Sequence, residues 1–233
     1  MIKISILIPV YNEEATIIYL LKSVQNEISK IKTVTFEIIV IDDCSKDNTS
    51  KLLKENGTLY NHMISLEKNQ GKGGAILQGL KKAKGEYILF QDADLEYSPN
   101  DYKTLIRPIV DFDVDVVMGS RFLAPQFTRV HYFWHKVGNW GLTLIFNILN
   151  NTTFTDIYSC YLIYRKNLVP LEIIKSIGWE QHGEILSLAI KKGEVFFEVP
   201  ISYSGRSYGE GKKIRGFHIF KILYTITMTR FFT

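Results

Sequence analysis

The sequence predicts an α/β protein built on a doubly wound, mostly parallel sheet. Short apolar runs rich in β-branched residues alternate with segments of helical periodicity four or five times within about the first 120 residues, as in parallel sheets with crossover helices. The runs are almost continuously apolar, which is typical of strands covered on both faces. Polar residues follow several runs directly, and in such sheets ligands bind beyond the carboxyl ends of the strands.

The elements follow one another in a regular order up to residue 120. Strands are predicted at residues 4–10, 36–41, 62–66, 86–90 and 114–118. Helices are predicted between them, where apolar side chains recur at helical spacing, at residues 13–31, 47–55, 73–84 and 99–112. After residue 125 the alternation loosens, and the predictions are a helix at 134–150, a strand at 158–165, a helix at 179–192 and a strand pair at 194–203 broken at Pro200.

The composition excludes several classes of protein. The chain has 233 residues, of which 46% are hydrophobic and 22% charged, so wholesale disorder is excluded and one large domain is expected. Cys44 and Cys160 are far apart, which excludes a disulfide scaffold or a CxxC zinc knuckle and favours a reducing compartment. The net charge of +4 is weak evidence for a polyanionic partner, and no nucleic acid is expected.

The two ends of the chain bear on its relation to membranes. Residue 2 already begins a strand-like run, so no signal peptide is expected, and no stretch of about 20 apolar residues is found. Residues 217–232 form a predicted amphipathic helix with a narrow polar stripe made of His218, Lys221, Thr225 and Thr229. This tail suits a membrane interface or a membrane-embedded partner, whereas a terminal helix packed on the core is equally compatible with the pattern.

Acidic side chains end two of the predicted strands. Asp92 and Asp94, with Glu96 two residues later, can converge on a hard divalent cation that bridges a diphosphate, although a solvated acidic turn has the same pattern. Asp42 ends an earlier strand and can accept hydrogen bonds from a base or a ribose. Its alternative role is to cap the turn around Ser45.

Three basic or glycine-rich segments could bind phosphate. Residues 69–75 open a helix with glycines but match neither a P-loop nor a dinucleotide fingerprint. Residues 206–213 form a basic loop suited to a diphosphate, and Arg121 with Arg129 could form a second phosphate site. A capped turn, a solvated loop and surface ion pairs are the respective alternatives. No HExxH or Gly-x-Ser-x-Gly motif occurs, which argues against a zinc protease and a serine hydrolase.

Taken in order, these motifs resemble the family 2 glycosyltransferases of the GT-A fold, and among them dolichol-phosphate mannose synthases and related polyprenyl-phosphate glycosyltransferases. The resemblance rests on residues 6–14, 39–49, 69–73, 85–96, 118–121, 199–203 and 206–212, nearly the whole chain in the family's order. It implies a GT-A domain over residues 1–212, followed by an amphipathic membrane-interface tail over residues 213–233. Gly211 replaces the usual serine, and Ser159-Cys-Tyr-Leu replaces the usual Ser-Gly-Phe-Arg.

The resemblance also implies roles for individual residues. The nucleoside of a sugar nucleotide would be held by Pro9, Tyr11, Glu13, Val40 and Asp42. Its diphosphate would lie at Asp92, Ala93 and Asp94, with Mg²⁺ or Mn²⁺ held by Asp92, Asp94 and Glu96. Arg206 and Lys212 would grip the diphosphate, and Arg121 and Arg129 would meet the acceptor phosphate or the donor. The catalytic residues would be Asp92, Asp94 and Arg206.

The implied reaction is the inverting transfer of a hexose, mannose or glucose, from a GDP- or UDP-sugar to a polyprenyl phosphate of the dolichyl type. The acceptor phosphate is ionised near neutral pH and needs no general base. The expected location is the cytoplasmic face of a membrane, peripherally bound, with a membrane-embedded partner subunit as a further possibility.

Three rival interpretations remain open from the sequence. A family 2 transferase acting on a hydroxyl acceptor would need a carboxylate base, for which Asp156 or Glu184 would serve. A non-catalytic subunit that binds nucleotide sugars is a second rival, against which the intact Asp92, Asp94 and Arg206 argue. A Rossmann dehydrogenase is a third, weakened by the missing third glycine.

Overall fold

The computed structural model describes residues 1–123, 133–205 and 218–232, apart from the side chains of residues 135 and 218. In these residues one mixed sheet has the strand order β3-β2-β1-β4-β6-β5-β7. The strands are β1 Lys3–Val10, β2 Thr35–Asp42, β3 His62–Ser65, β4 Tyr87–Phe90, β5 Val116–Ser120, β6 Leu162–Arg165 and β7 Phe196–Pro200. The helices are α1 Ile17–Lys30, α2 Thr49–Glu55, α3 Gly71–Lys82, α4 Tyr102–Phe112, α5 Phe133–Asn150, α6 Gln181–Lys192 and α7 His218–Phe232.

The predicted fold class is confirmed, with one strand running the other way. All strand pairs are parallel except those of β6, which is antiparallel to both β4 and β5. The apolar run at 158–165 indicated burial, but periodicity carries no information on strand direction. Of the strand pair predicted at 194–203 and broken at Pro200, the first strand is confirmed as β7, whereas the second is wrong, because Tyr203 forms only an isolated bridge with Tyr97.

Helices cover the sheet on both sides, as the apolar strands require. On one side α1 contacts α2 and α4, and α1 turns Ile17, Leu20, Leu21 and Val24 into the core. On the other side α3 packs on β1 and β2, and α6 packs on β6. Helices α5 and α7 lie against α6 and against each other. Burial of these apolar faces is the main favourable term in folding.

The strand order creates a crevice at the carboxyl ends of the parallel strands β1, β2 and β4, and this end of the sheet is called its edge below. The chain runs outward from β1 through β2 to β3 and then returns through α3 to β4 on the other side of β1, so the strand order reverses at β1. Ligands of open α/β sheets bind at such a reversal, beyond the carboxyl ends of the strands. Val10 lies beside Asp42, and Leu7 lies beside Phe90, so the segments after β1, β2 and β4 meet at this edge.

The C-terminal helix is packed on the protein. Ile222 and Ile226 are buried, and the predicted polar stripe does not lie along the solvent face over its whole length, since Thr229 is buried whereas Lys221 is exposed and pairs with the buried Glu180 at 2.8 Å. The outer side of α7 is itself aromatic. None of the helices in the described ranges combines the length and the apolar character needed to cross a membrane.

A glycine in α3 permits close contact between this helix and the loop before α6. A Cβ atom at Gly73 would lie 2.4 Å from the carbonyl oxygen of Ile177, which accepts a hydrogen bond from the Gly74 N–H at 3.1 Å. Gly73→Ala is therefore expected to lower the free energy of unfolding, measured in urea, by about 1–3 kcal/mol through overpacking. Gly141→Ala in α5 is the matched control, because a Cβ there would meet nothing within 4 Å. We expect this control to stabilise the protein by about 0.5–1 kcal/mol; a loss at Gly141 as large as that at Gly73 would contradict the explanation.

Candidate active site

The acidic segment after β4 is anchored by a buried amide. Gln91 is fully buried, and its Oε1 accepts hydrogen bonds from the hydroxyls of Tyr102 and Tyr161, each at 2.8 Å. Its Nε2 donates to the carbonyl oxygen of Asp92 at 2.9 Å. Both the oxygen and the nitrogen of the Gln91 amide thus have hydrogen-bond partners, which fixes the backbone at the start of the acidic segment.

The carboxylates of this segment are held in different ways. Asp94 Oδ1 accepts a hydrogen bond from the backbone N–H of Glu96 at 3.1 Å, across a tight turn in which Leu95 has φ of 63°. Glu96 Oε2 accepts a hydrogen bond from the hydroxyl of Tyr203 at 2.9 Å. Ala93 between the two aspartates is buried. The turn therefore leaves Asp92 and Asp94 partly exposed at the edge of the crevice.

Lys72 is a site residue that the sequence analysis did not single out. It lies in the first turn of α3, and its Nζ is 2.5 Å from Asp92 Oδ1 and 5.8 Å from the ring centroid of Trp179. Burial alone would lower the pKa of Lys72, but Asp92 more than offsets this, so the pKa is raised and the ammonium stays charged. The glycines on either side of Lys72 in the sequence could have indicated that this lysine lies close to a ligand.

The acidic segment fits a hard divalent cation in chemistry but not as a closed cage. Carboxylate oxygens are the ligands that Mg²⁺ and Mn²⁺ prefer. Yet across the described residues no three acidic, histidine or cysteine side chains are close enough together to hold a metal ion by themselves. One or two carboxylates completed by phosphate oxygens are the usual way of binding Mg²⁺. The segment therefore suits a cation that binds together with a diphosphate.

The ends of β1 and β2 form the neighbouring part of the crevice. Asp42 is buried and accepts a hydrogen bond from the Ser45 N–H at 3.0 Å, which is the capping role left open by the sequence. Glu13 Oε2 accepts a hydrogen bond from Thr16 at 2.9 Å, and Tyr11 is half-buried. Pro9 is half-buried as well, whereas Val40 is fully buried and supports this edge from beneath.

Asp43 joins this edge to the glycine-rich turn. Its two carboxylate oxygens accept hydrogen bonds from the N–H groups of Gln70 and Gly71 at 2.7 and 2.8 Å. Burial raises the pKa of Asp43, and these two hydrogen bonds only partly counteract it. The contact fixes the beginning of α3, and with it Lys72, relative to the end of β2.

Arg121 is held rigidly beside the crevice. Its Nε and Nη2 donate to the two oxygens of Asp156 at 2.7 and 2.9 Å, and Asn139 Nδ2 donates to the same carboxylate at 3.0 Å. Burial alone would raise the pKa of Asp156, but the guanidinium of Arg121 outweighs it and holds the pKa below the ordinary value. The Arg121 Cζ also lies 5.1 Å from the ring centroid of Tyr203. Such a fixed guanidinium can bind a phosphate.

A carboxylate on β7 fixes the loop that carries Asp156. Glu198 accepts hydrogen bonds from the backbone N–H groups of Thr155 and Asp156, the latter at 3.0 Å, and from the Thr155 hydroxyl at 3.0 Å. The Thr155 hydroxyl also lies 2.6 Å from the Ser120 hydroxyl. The sequence gave no indication of this pairing, because Glu198 and Thr155 are 43 residues apart.

Three predicted site residues cannot be compared with the geometry. Arg129, Arg206 and Lys212 lie outside the described residues. Their assignment to the diphosphate and to the acceptor phosphate therefore stays a prediction. Of the remaining predicted residues, the structure places Tyr11, Asp42, Asp92, Asp94, Glu96 and Arg121 along or beside the crevice.

The comparison with protein families decides the class of this chain. The model of "Glycosyl transferase family 2" matches residues 5–169. The chain belongs to glycosyltransferase family 2. A relative within this family, the UDP-N-acetylglucosamine–dolichyl-phosphate N-acetylglucosaminyltransferase of Methanococcus voltae, is 32% identical over 97% of this chain and 96% of its own length. The dolichol-phosphate mannosyltransferase of Pyrococcus furiosus is 29% identical over 95% of this chain and 62% of its own length.

Solved structures support the fold of this family 2 enzyme. The glucosyl-3-phosphoglycerate synthase of Mycobacterium tuberculosis, solved with Mn²⁺ and UDP, has a TM-score of 0.68 at 19% identity, covering 98% of this chain and 80% of that chain. A second structure of that synthase, solved with Mg²⁺ and UDP, has a TM-score of 0.68. At this identity the likeness shows the fold alone, and it confirms the predicted GT-A-like architecture.

The geometry also tests the two general bases considered for a family 2 enzyme with a hydroxyl acceptor. Asp156 is fully buried, and both of its oxygens accept hydrogen bonds from Arg121. Glu184 is buried, and its oxygens accept from the backbone N–H groups of Lys175 and Ser176 at 3.0 and 2.8 Å. Both carboxylates are thus buried and have structural hydrogen-bond partners.

Proposed function

We propose that this family 2 glycosyltransferase transfers a hexose or a hexosamine from a nucleotide-diphosphate sugar to a polyprenyl phosphate of the dolichyl type, with inversion at the anomeric carbon. The names of the relatives support a dolichyl-phosphate acceptor and include both N-acetylglucosamine and mannose as transferred sugars. The donor is accordingly a UDP- or GDP-sugar.

The observation that carries the proposal is the fixed guanidinium of Arg121 beside the acidic segment. The Asp156 carboxylate orients this guanidinium. The guanidinium also lies against the Tyr203 ring, and the Tyr203 hydroxyl donates a hydrogen bond to Glu96 of the acidic segment. A phosphate acceptor has a second pKa near 6, so it is ionised near neutral pH and attacks without a base. The structural use of Asp156 and Glu184 agrees with a reaction that needs none.

Each residue of the site has a separate role in the proposed reaction. Asp92 and Asp94 would hold a cation that binds together with the donor diphosphate, and Arg121 would orient the attacking phosphate. A bound Mg²⁺ or Mn²⁺ supplies electrostatic stabilisation of the departing nucleoside diphosphate. Lys72 adds a positive charge on the same edge, where fixed charges stabilise developing negative charge strongly. Arg206 and Lys212 are assigned to the diphosphate by family resemblance.

The experiment that tests the proposal uses the full chain. We would incubate it with Mn²⁺, a short-chain polyprenyl phosphate and separate radiolabelled UDP-N-acetylglucosamine, UDP-glucose and GDP-mannose. Label that enters a lipid fraction labile to mild acid supports the proposal, and the best donor identifies the sugar and the base. Label found only in an alkali-stable glycan, or transferred only to a free hydroxyl, would contradict it. Reactions without acceptor measure hydrolysis.

We further propose that α5 and α7 form a membrane-docking face on the cytoplasmic side. The exposed apolar residues of this face are Phe133, Trp134, Val137, Trp140, Leu144, Ile145 and Ile148 on α5 and Phe220, Tyr224, Phe231 and Phe232 on α7. Neither helix contains an acidic residue, whereas Lys136, Lys221 and Arg230 are basic. Aromatic rings with nearby positive charge suit the headgroup region of an anionic membrane.

Helix α5 connects this membrane-docking face to the proposed acceptor site. Asn139, which lies on α5, donates to the carboxylate that holds Arg121. A lipid phosphate at the bilayer surface would therefore meet the guanidinium without leaving the interface. The predicted tail over residues 213–233 is part of this proposal, and a membrane-embedded partner subunit remains a prediction.

We expect the double variant Trp134→Glu and Trp140→Glu to lose most of its binding to vesicles of phosphatidylglycerol and phosphatidylcholine in a sedimentation assay. Two exposed aromatic anchors would be replaced by charges that the anionic surface repels. Tyr19→Glu is the matched control, since Tyr19 is equally exposed, at 69%, on α1. These substitutions are preferable to deletion of α7, which would remove the buried Ile222 and Ile226 and uncover the part of α6 around Gly183 on which they pack. Equal sedimentation of both variants would refute the docking face.

A further inference from the structure

Tyr203 contacts both halves of the candidate site. It follows β7, its backbone forms a bridge with Tyr97, and the residue is 8% exposed. The hydroxyl donates to Glu96 Oε2 at 2.9 Å. The face of the same ring lies 5.1 Å from the Cζ of Arg121. One side chain thus touches the last carboxylate of the acidic segment and the guanidinium assigned to the acceptor phosphate.

The two contacts are chemically independent. The hydrogen bond from the Tyr203 phenol to the Glu96 carboxylate fixes which way Glu96 points. The contact between the ring and Arg121 is a cation–π interaction, which helps to orient the guanidinium together with the hydrogen bonds to Asp156. Removing the hydroxyl changes the first contact alone, and removing the ring changes both.

The surroundings keep Tyr203 in this position. Its ring centroid lies 5.1 Å from that of Tyr97, which in turn lies 5.3 Å from that of Tyr161. The Tyr161 hydroxyl donates to the buried Gln91 at 2.8 Å. Ser204 N–H also donates to the carbonyl oxygen of Glu96 at 3.0 Å. The chain after β7 is therefore tied to the acidic segment by backbone and side chain together.

We propose that Tyr203 is a positioning residue that couples the cation subsite to the acceptor-phosphate subsite, its hydroxyl orienting Glu96 and its ring orienting Arg121. This inference rests on the proposed function, because it needs a cation and a phosphate acceptor to bind at these two places. A tyrosine that served only as packing would support the fold but would affect neither ligand selectively.

The test separates the hydroxyl from the ring by two substitutions, Tyr203→Phe and Tyr203→Leu. Binding of Mn²⁺ in the presence of UDP or GDP is measured by electron paramagnetic resonance, and binding of citronellyl phosphate is measured by calorimetry without donor. We expect Tyr203→Phe to weaken Mn²⁺ binding about tenfold, a typical effect of removing a partner of a metal ligand, and to leave phosphate binding unchanged. Tyr203→Leu should weaken both, the phosphate about fivefold.

A buried tyrosine at the start of the central strand β4 provides the control. The Tyr87 hydroxyl donates to the carbonyl oxygen of Val114 at 2.8 Å, so Tyr87→Phe loses a comparable buried hydrogen bond. We expect this variant to bind both ligands as the unmodified protein does, although its melting temperature falls.

The outcomes distinguish this inference from the function on which it rests. Unchanged Mn²⁺ binding in Tyr203→Phe, or equal losses of both ligands in that variant, would overturn the coupling role. The phenylalanine variant keeps the ring volume, so it decides the matter even if Tyr203→Leu fails to fold. If the unmodified protein bound neither Mn²⁺ with a nucleoside diphosphate nor citronellyl phosphate, the proposed function itself would fail.

Discussion

Replacing Asp156 with alanine is expected to destabilise the protein by about 3–5 kcal/mol, because it leaves the largely buried guanidinium of Arg121 without its counter-charge. Asp156 has no exposed surface, so water cannot easily take its place. The variant should also remove the acceptor of two donors that now bind this carboxylate, Arg121 Nε and Asn139 Nδ2. Urea unfolding followed by circular dichroism measures the loss.

The double variant Asp156→Ala and Arg121→Met is the control for this effect. Removing both charges together avoids the unpaired buried ion, so we expect part of the lost stability to return. Activity should stay low in the double variant, because the phosphate-binding group is gone. If the double variant were as unstable as the sum of the two single variants, the pair would not be coupled and this account of Arg121 would be wrong.

Replacing Asp94 with alanine is expected to lower kcat by about 10²–10³-fold, the usual effect of removing one group that stabilises transition-state charge. The stability loss should be small, about 1 kcal/mol, because the carboxylate makes a partly exposed hydrogen bond with the backbone of Glu96. Initial rates at saturating donor, measured over a range of Mn²⁺ concentrations, provide the test. Added Mn²⁺ should not restore the rate fully.

The matched control for this variant is Asp111→Ala on the outer part of α4. Asp111 pairs with Arg107 at 3.0 Å on an exposed surface far along the helix from the crevice, and such pairs contribute little. Its rate should equal that of the unmodified enzyme. An Asp94→Ala enzyme with unchanged kcat would remove the acidic segment from the mechanism and with it the proposed role of the cation.

The sequence was sufficient to predict the elements that carry local signals. The apolar runs of β1, β2 and β4 and the helical spacing in α1 depend on neighbouring residues, and their alternation predicted a doubly wound, mostly parallel sheet. The positions of Asp42 and Asp92 at the ends of strands then followed without knowledge of side-chain contacts. Family motifs added the assignment of Arg121.

The parts that the sequence did not reveal depend on contacts between distant residues. The sequence pattern places Tyr203 at the end of a strand pair. Its contact with Glu96 is not visible in that pattern, because the two residues are 107 positions apart. Asp156 was considered as a base because burial and the pairing with Arg121 are not visible in a pattern. The antiparallel direction of β6 and the inward orientation of Thr229 likewise depend on tertiary packing, which overrides local periodicity.

Because Lys72 forms an ion pair with Asp92, we infer that the enzyme folds without a cation bound at its acidic segment. The ammonium supplies an internal counter-ion to an aspartate that would otherwise face the other carboxylates of its loop unscreened. The unloaded protein therefore needs no metal to hold this corner together, unlike small domains whose folding depends on one. In the proposed reaction this ammonium would also lie at the edge where the negatively charged donor diphosphate binds.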